Sequence, residues 1–230
     1  MKTVAQLLSE ATSKLRSCTD TPRLDAEILL AYALNLNRAQ LMARLNESVN
    51  SAVFEAFIER RCAFEPIAYI LGEWEFFSLK FLCRPPVFIP RSETEILVEK
   101  LLVLSPRSVR LLDVGTGTGC IAIAVAVNNP LAQIVALDKS AVAIKLAREN
   151  ARLHHVESRV SFLQADGLSP FARKRYYDVI CSNPPYVEAS AWDGLSRVIT
   201  LHEDRDALLS GEDGLDMIRR LVLDSRILLR

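Results

Sequence analysis

Residues 183–186 are Asn-Pro-Pro-Tyr, placed directly after the apolar run Val179-Ile180-Cys181. That run reads as a short buried strand, and Pro184 and Pro185 cannot continue one. A residue before proline is pushed out of the helical region, so Asn183 leaves the strand in an extended conformation. One amide and one aromatic ring, Tyr186, are thereby held stiffly at a strand's C-terminal end. The Asn183 side-chain oxygen and the Pro184 carbonyl are two acceptors that can grip an NH₂ group, with Pro185 stiffening the pair and Tyr186 free to stack on a flat substrate. Asn-Pro is also a common strand-ending turn, so these four residues alone do not decide between a site and a turn.

A second cluster points at a nucleoside. "LLDVGTGTGCIAIAVA" sets Gly115, Gly117 and Gly119 between a strand and a helix, where glycine lets the backbone approach a ligand closely. Asp138 ends the next strand, "IVALD", where a carboxylate accepts hydrogen bonds from ribose hydroxyls. The triplet is G-x-G-x-G rather than the dinucleotide pattern G-x-G-x-x-G, and Asp113 precedes it. "LDVGTGTG" resembles the S-adenosylmethionine loop of Rossmann-like methyltransferases. That resemblance implies that Asp113 and the loop from Gly115 through Thr116, Gly117 and Thr118 to Gly119 hold the cofactor's methionine and ribose part. It also implies that Asp166, ending the strand "FLQAD", and Gly167 after it lie beside the adenine, and that Asn183 borders the cofactor with its amide facing the methyl group. The plain alternative for Asp166 is the N-cap of a following helix.

Together the two clusters suit methylation of a planar amide or amino nitrogen. Its lone pair is delocalised by the resonance that flattens a peptide bond, and removing a proton first would create a far too basic anion. Gripping the NH₂ between two acceptors aims the nitrogen and favours positive charge there, by positioning and electrostatics. A sulfonium donor carries its own leaving group, so neither a catalytic base nor a metal is required. Asn183, Pro184 and Tyr186 are the catalytic candidates.

The elements that must position them alternate from about residue 108: "VRLLDV", "CIAIAVAV", "QIVALD", "AVAIKLAREN", "RVSFLQAD" and "YYDVICSN". This strand–helix alternation predicts an α/β fold with a doubly wound parallel sheet, binding ligands at the strands' C-terminal ends. Ahead of it, residues 1–67 read as a small helical domain. Its first helix keeps Val4, Leu7, Leu8, Ala11 and Leu15 at helical spacing, Pro22 starts a second, and 51–63 form another with Val53, Phe54, Phe57, Ile58 and Cys62 on one face. Residues 68–90, rich in aromatic and β-branched types, read as a β-hairpin linker, and 91–230 as the Rossmann-like domain. Ser92 and Glu95 predict a capping box at the start of that domain.

Composition narrows the partners. Lys+Arg and Asp+Glu balance at 28 each, which argues against tight non-specific binding to nucleic acid, and the "RKR" at 173–175 reads as a solvated loop. The five cysteines, Cys18, Cys62, Cys83, Cys120 and Cys181, show no C-x-x-C pair and suit buried thiols in a reducing compartment. The three histidines have no metal-ligand spacing. No apolar run approaches the roughly 20 residues that span a bilayer, so the cytoplasm is the default location.

The combination of "SNPPYV", "LDVGTGTG", "YILGEWEF", "FIPRSETE" and "LLSGEDGLDMIRRLV" resembles the HemK/PrmC family, the peptide chain release factor N5-glutamine methyltransferases. The likeness runs from the N-terminal helices to the last residue. It implies S-adenosylmethionine as donor and the glutamine of the Gly-Gly-Gln motif in class I release factors as substrate. It places the glutamine on Asn183–Tyr186, Arg91 in substrate positioning, and partner recognition in the helical domain. Gly167 departs from the pattern, because the family often carries an aromatic or other bulky residue there. The same Asn-Pro-Pro-Tyr grips exocyclic amino groups in N6-adenine and N4-cytosine DNA methyltransferases, which are the alternative, as are a different protein target and a cofactor-binding chain without turnover. Members continue past a glycine turn into further strands, so the chain is expected to be a truncated member whose Asn183 strand is a bare sheet edge, prone to association and weakly active. A complete member is expected to be monomeric.

Overall fold

The computed structural model describes residues 1–50, 52–105, 107–168, 171 and 174–230. The chain divides into two compact units, residues 1–72 with 196–202, and residues 73–195 with 203–230.

In the first unit, β1 (Lys2–Thr3) leads into α1 (Val4–Leu15), followed by α2 (Pro22–Ala33), α3 (Arg38–Met42), β2 (Ser48–Val49), α4 (Ala52–Cys62) and α5 (Ile67–Leu71). α1 starts where the Thr3 hydroxyl accepts from the Gln6 amide at 3.2 Å and the Gln6 side chain accepts in return from the Thr3 amide at 2.9 Å. The expected stripe from Val4 to Leu15 is buried against Leu29 and Leu30 of α2 and Phe54 and Ile58 of α4. α4 buries Phe54, Ile58 and Arg61, while Val53 is 57% exposed, so the inward stripe differs from the one expected over 51–63. Ser51 and Arg173 lie outside the described residues. The Arg61 Nε donates to Asp25 Oδ2 at 2.8 Å with both side chains buried, tying α4 to α2. Residues 196–202, carrying α9 (Arg197–Thr200), belong here as well: Arg197 Cζ sits 4.0 Å above the Phe64 ring, and His202 Nε2 lies 3.2 Å from the Ala63 carbonyl oxygen.

The second unit opens on β3 (Glu73–Phe76) and β4 (Leu79–Leu82), an antiparallel pair with Phe76 opposite Leu79. The hairpin expected over 68–90 does form. It does not stand as a linker between two bodies, because Phe76 and Phe81 are buried in this unit's own core. α6 (Glu95–Leu104) follows a short 3₁₀ turn, Ser92–Thr94, and the expected capping box is absent. The Glu95 carboxylate instead accepts from the Phe77 amide at the hairpin turn, 2.9 Å away.

The remaining elements are β5 (Val109–Val114), α7 (Cys120–Asn128), β6 (Ala132–Asp138), α8 (Ala141–Leu153), β7 (Val160–Gln164), β8 (Val179–Ser182) and α10 (Asp216–Ser225). The four strands form one parallel sheet in the order β7-β6-β5-β8. β5 is central and nearly wholly buried, and α7 is apolar on every face because it is buried against the sheet, with Ile121 to Ala126 all inside. The order reverses between β5 and β8, which opens a crevice at their C-terminal ends, where such sheets bind ligands.

β8 is at the sheet's edge, as expected, and the chain is tied down on either side of it. Tyr176 and Tyr177 donate to the Leu228 carbonyl at 2.8 and 3.0 Å, and Arg230 donates to the Tyr177 carbonyl at 3.1 Å. Beyond the strand Val187 and Leu209 form a parallel bridge. The apolar residues of β8 are also covered, since Cys181 is buried and Val179 and Ile180 are half-buried against the core.

Candidate active site

The loop leaving β5 turns back through Gly115, Gly117 and Gly119, all with positive φ. The Gly115 and Thr116 amides donate to the Leu137 carbonyl at 2.8 and 2.9 Å, which fixes the loop to the end of β6. Gly119 starts α7, and a Cβ there would lie 2.9 Å from Ile123 Cδ1 and 3.1 Å from Ala147 Cβ. Close packing of α7 on α8 therefore demands glycine at that position. Gly115, Thr116, Gly117 and Thr118 line a cavity of ≈ 480 Å³, whereas Gly119 is absent from its wall and packs against α8.

Asp138 occupies the position the spacing predicts. Its Oδ2 accepts from the Gly117 amide at 2.9 Å and its Oδ1 from the Ser140 amide at 2.9 Å, so both oxygens are aimed while the carboxylate still lines the cavity. Asp113 corrects the sequence reading. It is fully buried beneath the loop and is no part of the cavity wall. Its Oδ2 accepts from the Thr116 hydroxyl at 2.6 Å and its Oδ1 from the Cys181 thiol at 3.7 Å. Burial pushes the Asp113 carboxyl up from its ordinary 3.8 to about 6, against the pull of those hydrogen bonds. Asp113 supports the loop from below.

Asn183 leaves β8 beside the glycine loop, where the Ser182 hydroxyl donates to the Val114 carbonyl at 2.7 Å and ties β8 to β5. The Asn183 Nδ2 donates to the Thr94 hydroxyl at 3.2 Å. Asn183 also lines the cavity, where Oδ1 is the side chain's one acceptor atom. Pro184, Pro185 and Tyr186 also line the wall, with Tyr186 64% exposed at its mouth. The chain beyond them is braced by residues 208–214, where Val187 donates to the Leu208 carbonyl at 2.9 Å and Ala189 to the Gly211 carbonyl at 3.0 Å. Gly214 touches Tyr186, and a Cβ on it would lie 2.3 Å from the Tyr186 carbonyl oxygen.

Arg91 is not part of the cavity wall. Its guanidinium lies 4.8 Å from the Phe88 ring centroid and forms an ion pair with Glu203, whose side chain is 1% exposed. Burial raises the Glu203 carboxyl above the ordinary range, and Arg91 partly offsets this. Arg91 thus anchors the "FIPRSETE" loop that carries Thr94. Asp166 and Gly167 do line the cavity, but the Asp166 side chain is paired with Arg220 of α10 at 3.0 Å. Sequence reading missed Thr94, Lys139, Asp206 and Arg220. Thr94 and Arg220 lie in the motifs "FIPRSETE" and "DGLDMIRRLV", while Lys139 and Asp206 lie outside every quoted motif and reach the cavity only through the tertiary fold.

A crevice at the sheet's switch point, a glycine loop on one side and an amide acceptor on the other define a Rossmann-like methyltransferase. Residues 80–210 match the family model described as the Methyltransferase small domain, which spans more than half of the chain. Among solved structures, the hMettl16 catalytic domain in complex with a 3′UTR hairpin is similar in fold, with a TM-score of 0.54 at 17% identity over 72% of this chain and 62% of that one. Residues 6–72 match the PrmC N-terminal domain. Release factor glutamine methyltransferases are 42% identical in Moorella thermoacetica, over 99% of this chain and 82% of the relative, and 41% identical in Koribacter versatilis, over 95% and 80%. The one from Nitratidesulfovibrio vulgaris is 38% identical over 99% of this chain and 79% of the relative. The chain belongs to the release factor glutamine methyltransferase family.

Proposed function

We propose that this protein methylates the side-chain amide nitrogen of the glutamine in the Gly-Gly-Gln motif of class I release factors, with S-adenosylmethionine as donor. The observation that carries the reading is Asn183, held by Thr94 and lining the cavity at the switch point beside the glycine loop. Cytoplasmic location follows from the translation substrate, and no helix among the described residues is long and apolar enough to cross a membrane.

The cavity suits the donor in size and in charge. A volume of ≈ 480 Å³ falls within the usual range for ligand pockets. Among the described lining residues, Asp138, Asp166, Asp204, Asp206 and Asp216 outnumber Lys139 and Arg220, which favours a cationic ligand over a neutral one. Asp138 would hold the ribose hydroxyls and the loop from Gly115 to Thr118 the adjoining chain. When bound, the sulfonium supplies an activated methyl group whose C–S electron pair departs with sulfur as the new N–C bond forms.

The protein's own part is positioning. Asn183 Oδ1 and the Pro184 carbonyl accept the two N–H bonds of the glutamine amide, which directs its lone pair into the crevice. Both acceptors also favour the positive charge that develops on that nitrogen. Thr94 holds the Asn183 side chain in place, and the two prolines keep the backbone acceptor rigid. Tyr186 covers the flat amide face, and the first unit serves recognition of the release factor. The test is transfer of labelled methyl from S-adenosylmethionine to three separate acceptors: a class I release factor, its variant with the motif glutamine replaced, and duplex DNA. Label should appear only in the first; label in DNA, or equal label in the variant, contradicts the reading.

A further inference from the structure

α10 supplies a wall of the cavity to which the sequence reading gave no role. Gly167 has φ +63°, and a Cβ built on it would lie 2.9 Å from Arg220 Nη2 and 3.0 Å from Arg220 Cζ. The guanidinium therefore fills the space that a side chain at 167 would take. It is fixed at two points on one neighbour, with Nη1 donating to Asp166 Oδ1 at 3.0 Å and Nη2 to the Asp166 carbonyl oxygen at 2.9 Å. Arg220, Asp166 and Gly167 all line the cavity.

We propose that Arg220 forms the base-side wall of the cofactor pocket, laying its guanidinium against the purine where residue 167 has no side chain to offer. The proposal rests on the S-adenosylmethionine reading of the site. Sheet order sets the direction. Asn183 follows β8 on one side of β5, Asp138 ends β6 on the other, and Asp166 follows β7 one strand further out. A ligand with its ribose at Asp138 and its methyl toward Asn183 must carry its base toward β7. A planar, weakly hydrated cation is suited to stack on a π face there. Its ion pair with Asp166 offsets charge that would otherwise repel a sulfonium, and also holds the guanidinium plane in one orientation.

Calorimetry with S-adenosylhomocysteine, and in parallel with S-ribosylhomocysteine, which lacks the base, separates a base contact from a merely structural tie. Wild type is compared with Arg220→Met, Arg220→Lys and Asp166→Asn, each checked for an unchanged apo thermal midpoint. Arg220→Met is expected to weaken S-adenosylhomocysteine roughly 3- to 30-fold and to leave the baseless ligand unaffected. Arg220→Lys should recover only part of the loss, and Asp166→Asn should show a smaller loss in the same direction. Unchanged S-adenosylhomocysteine binding by Arg220→Met, or equal loss of both ligands, would overturn the wall alone. Wild type that binds neither ligand would overturn the cofactor reading, and the wall with it.

Discussion

Asn183 and Asp138 stand at the ends of two strands that flank β5, and each is held by a hydrogen-bonded neighbour. For Asn183 that neighbour is the Thr94 hydroxyl; for Asp138 it is the Gly117 amide. Asn183→Ala should lower turnover by roughly 10²–10³, the scale for one preorganised polar contact to a developing charge, with little change in cofactor binding. Thr94→Val should lower kcat by about fivefold, the value of one ordinary hydrogen bond, and Thr94→Ser should restore it. Steady-state kinetics on the release factor checks both, and near-normal kcat in Asn183→Ala would remove that residue from the mechanism. Asp138→Ala should weaken S-adenosylmethionine by about 1.5–3 kcal/mol, as for hydrogen bonds to a charged group. An unchanged dissociation constant in calorimetry would contradict the assignment.

Among the elements, the strands and helices of the sheet were legible because their periods and glycine spacing are local. The hairpin, the glycine loop and the strand ending at Asn183 form where the pattern places them. What was not legible depends on partners far along the chain. Glu95 forgoes the expected capping box for the Phe77 amide, and Asp113, read as a cofactor ligand, is sealed under the loop because β5 is the central strand. Likewise the "SGEDG" segment carries no chemical signature, yet it braces the chain leaving Tyr186. Gly214 has φ +76°, and any Cβ there meets the Tyr186 carbonyl oxygen at 2.3 Å. Gly214→Ala should therefore destabilise the fold by about 1–3 kcal/mol and depress turnover through the displaced Tyr186, measured by urea unfolding and initial rates. Wild-type values for both would show that the brace is dispensable.

At the scale of the whole molecule, Asp113 ties stability to pH. Its carboxyl sits at about 6 in the fold against an ordinary 3.8, so its contribution is fully present below 3.8 and is lost as pH rises through 6. The loss is about 3 kcal/mol across that window, and Asp113→Asn should flatten it. Urea unfolding of both proteins from pH 4 to 7 checks the difference, because other carboxylates cancel in the comparison. The second unit holds every residue assigned to the transfer. The most direct measurement is tandem mass spectrometry of a class I release factor after incubation with this protein and S-adenosylmethionine. The expected result is one methyl group on the side-chain nitrogen of the Gly-Gly-Gln glutamine, lost when Asn183→Ala replaces the wild-type enzyme. A methyl group on any other residue, or the same modification with Asn183→Ala, would contradict it.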